Sequence, residues 1–407
     1  MMIKKTITVI LLLTISLLPV IGQQGRFSFP PNRSYISIPV EISQNLVVIP
    51  VSINDSPPLN FILDTGIRTT ILTEPAIAQV LELDLDERIY LYGLGGSGLI
   101  QAAKADDVAL KVGSITGNNM NLIVLPEGLL AFSEIFGFPV YGIIGYDLFR
   151  QFPVYINYIS RQIRIYKEPT YRMGRRTQVV PLQMVDGKPY TRVDIIGHQG
   201  DTLTTNLLVD LGASHPLYIN DDHVDLAPRT LEGFLGKGIS GTLMGQVGRI
   251  NKIMIGEQVV EEPIIAFPHG QFLTYDGQQL DWEGLIGGGL LSRFHLLIDY
   301  PSGRMVLDPN NKIQDPFIFN LSGLEVIATG PAYQTFKIQH VRPGSAAYEA
   351  GIMAGDLIIS LNSRGYKELS LQQILEILSG EDSDIMNIEV VRGTEVIRRR
   401  FRLRSDI

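Results

Sequence analysis

Cysteine is absent from all 407 residues. Its absence excludes disulfides, thiolate zinc sites, iron–sulfur clusters and cysteine nucleophiles. Histidine is scarce too: six residues, scattered, with no HExxH or comparable pairing, give little support to a zinc hydrolase. Positive charge is in deficit, with 34 Lys and Arg against 42 Asp and Glu and a net charge of −8. A nucleic-acid binder needs a basic face to replace phosphate counterions, so none is expected. Long apolar runs are confined to the amino terminus. There Lys4 and Lys5 precede a short apolar stretch, Ile7 to Ile21, and Val20 and Gly22 supply small residues before Gln23. This is the pattern of an export signal over residues 1–22, too short for the ~20 apolar residues of a membrane span. With no Cys to acylate, a lipoprotein is ruled out. The expectation is an exported protein, periplasmic or extracellular, with no stable membrane span after signal cleavage; the short Lys-started signal suits a bacterial periplasm.

What is present is repetition. Phe61-Ile-Leu-Asp64-Thr65-Gly66 has a counterpart in Leu207-Leu-Val-Asp210-Leu211-Gly212. Tyr141-Gly-Ile-Ile-Gly145 is echoed by Glu283-Gly-Leu-Ile-Gly287, and both copies continue into an apolar strand, a turn and another strand. The order is the same and the spacing nearly so, which predicts a duplicated lobe at about 27–168 and 177–310, joined by the basic turn Tyr171–Arg176. Within each lobe, short Ile- and Val-rich runs are punctuated by Asn-Asp, Gly-Ser and Asp-Gly turns, the mark of β structure. Long helical periodicity is scarce, and the clearest short helices follow Gly145 and Gly287. Beyond about 315 the acidic excess gives way to near balance. Residues 318–407 predict strands at Leu324–Ala328 and Thr335–His340, and an amphipathic helix near Ser370–Leu378.

An apolar-apolar-Asp-Thr-Gly segment puts a carboxylate at the end of a buried strand, on a turn whose glycine admits close backbone approach. Two such turns face to face would hold two carboxylates that cannot both ionise. Such a pair can take a proton from water while donating one to a peptide carbonyl. A turn-capping role is the alternative for each Asp alone. With these motifs doubled, the chain resembles the retropepsin/pepsin-like aspartic peptidases over roughly residues 40–308. The resemblance implies a mainly β fold of two retropepsin-like acid-protease β-barrel lobes. It also implies a catalytic dyad of Asp64 and Asp210, active-site turns containing Thr65, Gly66, Gly212 and Ser214, and no cofactor or metal. Two departures stand out: Leu211 replaces a hydroxyl residue, and Ile67-Arg68 replaces a small residue and Ser/Thr. An inward Arg68 would favour ionised carboxylates and lower the pKa values of the dyad. These departures leave open reduced activity, an unusual pH optimum or a catalytically degenerate peptide-binding protein of the same fold. A homodimer pairing two Asp64 turns is less favoured, because the chain supplies two lobes.

The stretch Tyr92-Gly93-Leu-Gly95-Gly96-Ser-Gly98 spells GxGxxG, but a dinucleotide site requires a parallel βαβ unit there. By the resemblance it is a hairpin flap over substrate that includes Tyr92, Gly95 and Gly96, with Tyr90 or Tyr92 contacting substrate, and an inert glycine loop is the alternative; Phe234–Gly241 is its second-lobe equivalent. Val341-Arg-Pro-Gly-Ser345…Ala350-Gly351…Gly355-Asp356-Leu-Ile-Ile-Ser-Leu-Asn362 resembles an α+β PDZ domain of the type attached to exported bacterial proteases. Such a domain adds an extended peptide as a strand and captures its terminal carboxylate on backbone amides. The resemblance places Gly323 and Leu324 in the carboxylate loop and Leu371 and Ile374 on the groove wall; packing of an amphipathic helix is the alternative for the latter two. The expected partners are protein or peptide substrates, with peptide C-termini at the PDZ groove.

Overall fold

The computed structural model describes residues 25–91, 100–171, 174, 176–238, 241–269 and 283–407. The expected export signal, residues 1–22, and the expected flap residues Tyr92, Gly95 and Gly96 lie outside the described residues. Among the described residues no helix is long and apolar enough to cross a membrane.

Strands dominate and form four sheets. One, of nine strands, belongs to the first lobe, and one, of ten strands, to the second. A six-stranded sheet lies between them and draws on both lobes: Val154–Asn157 pairs antiparallel with Phe294–Asp299, Val154 opposite Ile298 and Ile156 opposite Leu296. These two strands are the repeated apolar runs that follow Gly145 and Gly287. Both reach the sheet through short helices, Tyr146–Phe149 and Gly288–Leu291, as their sequences predict. A single apolar core extends through both lobes and the joining sheet.

Each lobe builds its repeated motif in the same way. Leu59–Leu63 lies parallel to Gly142–Ile144, with Leu63 opposite Ile144. Thr202–Val209 lies parallel to Gly284–Ile286, with Val209 opposite Ile286. The flap-type segments are hairpins. Glu87–Leu91 and Ile100–Val112 are antiparallel, as are Thr230–Gly238 and Gly241–Arg249. An antiparallel pair is not the βαβ unit that a dinucleotide site needs.

The fourth sheet, Leu324 to Arg402, has its own core of Leu324, Val326, Phe336, Ile358, Ile374 and Val390 among others. Helix Leu371–Leu378 packs beside the edge strand Leu324–Thr329. It starts at a capping box in which Ser370 and Gln373 satisfy each other's backbone amides. The linker is pinned on the way. Phe317 lies under the Arg293 guanidinium at 3.5 Å, and the Phe319 ring is 6.2 Å from His215 and 5.4 Å from the Arg342 guanidinium.

Candidate active site

Asp64 and Asp210 stand one residue beyond the parallel strands Leu59–Leu63 and Thr202–Val209. Both are held by the partner strand: the Asp64 amide donates to the Ile144 carbonyl at 2.9 Å, and the Asp210 amide to Ile286 at 2.9 Å. Each carboxyl then accepts from the glycine amide two residues on, Gly66 to Asp64 Oδ1 at 2.6 Å and Gly212 to Asp210 Oδ1 at 2.8 Å. The two turns meet across the lobes. A Cβ on Gly212 would lie 2.3 Å from Asp64 Oδ2, so no larger residue fits between the turn and the carboxyl. The structure brings the Asp64 and Asp210 side chains together within one chain, close enough for each to act on the other electrostatically.

That geometry sets the proton inventory. Burial, then the charge of Asp210, holds Asp64 well above the ordinary carboxyl range. Burial also raises Asp210, but the Gly212 amide, the hydrogen bond from Asp64 and the charge of Lys188 pull it back. Two carboxyls so placed do not readily both ionise, and Asp64 is held the higher of the two.

Thr65 bridges the lobes. Its hydroxyl donates to the Val209 carbonyl at 2.6 Å and accepts from the Leu211 amide at 3.0 Å. The reciprocal bonds from the second lobe do not exist, because Leu211 is buried in the core with no hydroxyl to give. Tyr300, which sequence reasoning passed over as part of an apolar strand, donates its hydroxyl to the Thr65 carbonyl at 3.3 Å and stacks on Phe149 at 5.3 Å. Its repeat counterpart Tyr158 is equally buried, and its hydroxyl has no partner among the described residues.

Arg68 is exposed, on the cleft wall. The cation whose field reaches both carboxyls is Lys188, at the start of the strand Lys188–Ile196. Nothing in the repeat marks Lys188, and sequence reasoning missed it. It is delivered by a tight hairpin whose Asp186-Gly187 tip reaches the Tyr146 ring of the first lobe. The corresponding first-lobe turn, Gln44-Asn45, reaches the second: Asn45 Nδ2 donates to the Ser214 carbonyl at 3.2 Å. Ser214 thus enters the site through its backbone, beside His215, whose pKa burial lowers to about 4.

Asp64, Gly66, Asp210, Gly212 and Ser214 line one open cleft of about 1880 Å³. Small-molecule sites occupy ~300–1,000 Å³, so this cleft has room for a polymer. It extends to Leu324 and Leu375 of the carboxy-terminal domain. Of the expected groove residues, Ile374 is fully buried in that domain's core, and Leu371 packs against first-lobe Gly137. The Gly323 amide is occupied by Asn320 Oδ1 at 2.8 Å and the Leu324 amide by Ser322 Oγ at 3.2 Å. Among the described residues no group of three or more His, Asp or Glu side chains is placed to hold a metal.

Residues 49–148 match the family model described as aspartyl protease, and residues 337–392 match that of the PDZ domain. No curated protein matches the chain. Among solved structures it is similar to the aspartic proteinase from Irpex lacteus, at 13% identity over 69% of this chain and 99% of that one, with a TM-score of 0.48. The chain carries an aspartyl-protease domain of retropepsin-like type followed by a carboxy-terminal PDZ domain.

Proposed function

We propose that the protein is an exported aspartic endopeptidase that cleaves polypeptides with Asp64 and Asp210 and uses its PDZ domain to bind substrate or partner segments. The observation that carries this reading is the pair of carboxyls, Asp64 and Asp210, that two facing glycine turns bring together in a polymer-sized cleft. Ionised Asp210 takes a proton from a water whose oxygen attacks the peptide carbonyl carbon. Asp64 gives its proton to the carbonyl oxygen, and a neutral gem-diol forms. Asp210 then passes its proton to the departing amide nitrogen as the C–N bond breaks, and a gem-diol hydroxyl returns a proton to Asp64. Atoms and charge balance with water as the only co-reactant.

The test is to incubate residues 23–407 with an unfolded protein mixture across pH 3–8 and to read new termini by mass spectrometry. Asp64→Asn and Asp210→Asn should each lose at least about 10³-fold in rate, since each removes one half of the proton relay. Undiminished cutting by Asp210→Asn would sink the single-chain dyad. The missing Leu211 hydroxyl motivates the second reading, a peptide-binding protein of the same fold; that reading requires no cleavage at any pH.

A further inference from the structure

The PDZ groove, between strand Leu324–Thr329 and helix Leu371–Leu378, is closed at both ends by this chain's own residues. At the far end stands Gly137, in the left-handed conformation that terminates the first-lobe helix Phe132–Phe136. A Cβ built on Gly137 would lie 2.7 Å from Leu371 Cβ and 3.6 Å from Ala328 Cβ. One of these belongs to the groove helix and the other to the groove strand. The helix Phe132–Phe136 itself packs along that strand, which is the edge of its sheet and the place where an added strand would pair. At the near end the Gly323 and Leu324 amides are occupied by Asn320 and Ser322, and Glu325 Oε1 accepts from Asn320 Nδ2 at 2.7 Å. A peptide carboxylate entering there would meet amides already bonded and another carboxyl.

The segment that fills the groove also belongs to the catalytic cleft. Ala131, Phe132, Ile135 and Phe136 line the same cavity as Asp64 and Asp210. The Ile135 carbonyl accepts from Gln44 Nε2 at 2.7 Å, and the next residue, Asn45, holds the Ser214 carbonyl at 3.2 Å. A continuous path of packing and hydrogen bonds therefore runs from Leu371 through Gly137, Ile135 and the Gln44-Asn45 turn to the Asp210 turn.

We infer that the first-lobe segment Ala131–Phe138 is an internal occupant of the PDZ groove, and that an extended apolar peptide binding there displaces it and reshapes the cleft. The PDZ domain is then a switch as well as a tether. The inference rests on the proposed peptidase reading for its consequence, but not for its test.

The natural chain lacks cysteine, so an introduced pair has no competing thiols. The 3.6 Å separation at Gly137 and Ala328 falls within the ~3.5–4.5 Å Cβ–Cβ range of a disulfide, and the small shift that a Gly137 Cβ needs to clear Leu371 at 2.7 Å is common to the Cys variant and its Ser control. The variant Gly137→Cys/Ala328→Cys is made in full-length Asp210→Asn protein, oxidised mildly, and checked by intact mass. Binding of a fluorescent dodecapeptide of alternating Val and Lys with a free carboxy-terminal Val is then measured by anisotropy in both redox states. The Gly137→Ser/Ala328→Ser protein carries similar bulk without the bond, and its circular dichroism and binding control for misfolding. The expected result is cross-linking, peptide affinity at least 10-fold weaker in the oxidised form, and recovery on reduction to the level of the Ser control. Failure to cross-link in a folded variant, equal binding in the two states, or binding in neither state overturns the inference. None of these readouts needs a working dyad, so a chain that cuts nothing fails the proposed function without touching this result.

Discussion

Thr65 and Leu211 occupy equivalent places in the repeat and do opposite things. The Thr65 hydroxyl satisfies the Leu211 amide and the Val209 carbonyl, both at the buried junction of the lobes. Thr65→Val keeps the shape but strands that donor and acceptor, and should cost about 1–3 kcal/mol in urea unfolding. Leu211→Thr, which looks like a repair of the repeat, should also destabilise, by about 1–3 kcal/mol. It swaps a well-packed apolar side chain for a hydroxyl in a site lined by core residues. A gain in stability from Leu211→Thr would mean that a hydrogen-bond partner awaits it. Lys188 acts through charge. It lowers the pKa values of Asp64 and Asp210, so Lys188→Met should raise both and move the whole pH–rate profile upward, by up to about one unit. A profile that stays in place would remove Lys188 from the dyad's field. Stability follows the same sign. Both carboxyls are raised in the folded state, so their favourable contribution is complete below the unfolded value of about 4 and is lost as pH rises through the folded values. Asp64, Asp210 and the Leu211 departure were legible in the sequence because they sit inside a repeated string. Lys188 and Tyr300 were not, because hairpin geometry and strand packing bring them to the site from outside it.

At the level of elements, the repeat fixes a construction rather than single contacts. The Ile144 and Ile286 carbonyls receive the Asp64 and Asp210 amides, and the glycine that follows each lets the chain cross the neighbouring turn. A Cβ on Gly145 would lie 1.8 Å from the Asp64 carbonyl oxygen, and one on Gly287 2.1 Å from that of His215. Gly145→Ala should therefore cost about 3 kcal/mol or more and carry the Asp64 turn with it, giving lost activity together with a lowered urea midpoint. Activity lost at unchanged stability would mean that the strand shifts without cost. The apolar-apolar-Gly spacing made this element readable, as the amphipathic period did for the helix Leu371–Leu378. The helix Phe132–Phe136 was not readable. Its residues Phe132, Ile135 and Phe136 pack on the cleft side of the first lobe, and only tertiary structure sets them against the strand Leu324–Thr329. For the same reason Leu371, expected on a groove wall open to peptide, is covered by Gly137.

Across the whole molecule, cores rather than sequence repeats decide what melts together. The two lobes repeat each other, yet they share one apolar cluster that runs through the joining sheet and ends at Phe317. The PDZ domain begins a separate cluster at Leu321, four residues later. The domain is docked on the protease body through Gly137 against Leu371, Phe234 facing His340 at 6.3 Å, and the Phe319 ring between His215 and Arg342. Two calorimetric transitions should follow, with both lobes in the larger and the PDZ domain alone in the smaller. At ~0.7 kcal/mol per residue, about 270 and about 85 described residues give enthalpies near 190 and 60 kcal/mol, a ratio of roughly 3 to 1. Phe319→Ala removes a docking ring that packs at the margin of the lobe core, so it should lower the smaller transition and shift the larger by much less. Three transitions would show that the lobes unfold separately despite their common core. One transition, unmoved by Phe319→Ala, would mean that docking binds the PDZ domain to the protease as tightly as the lobes bind each other, and an internal occupant of its groove could not then be displaced by a peptide.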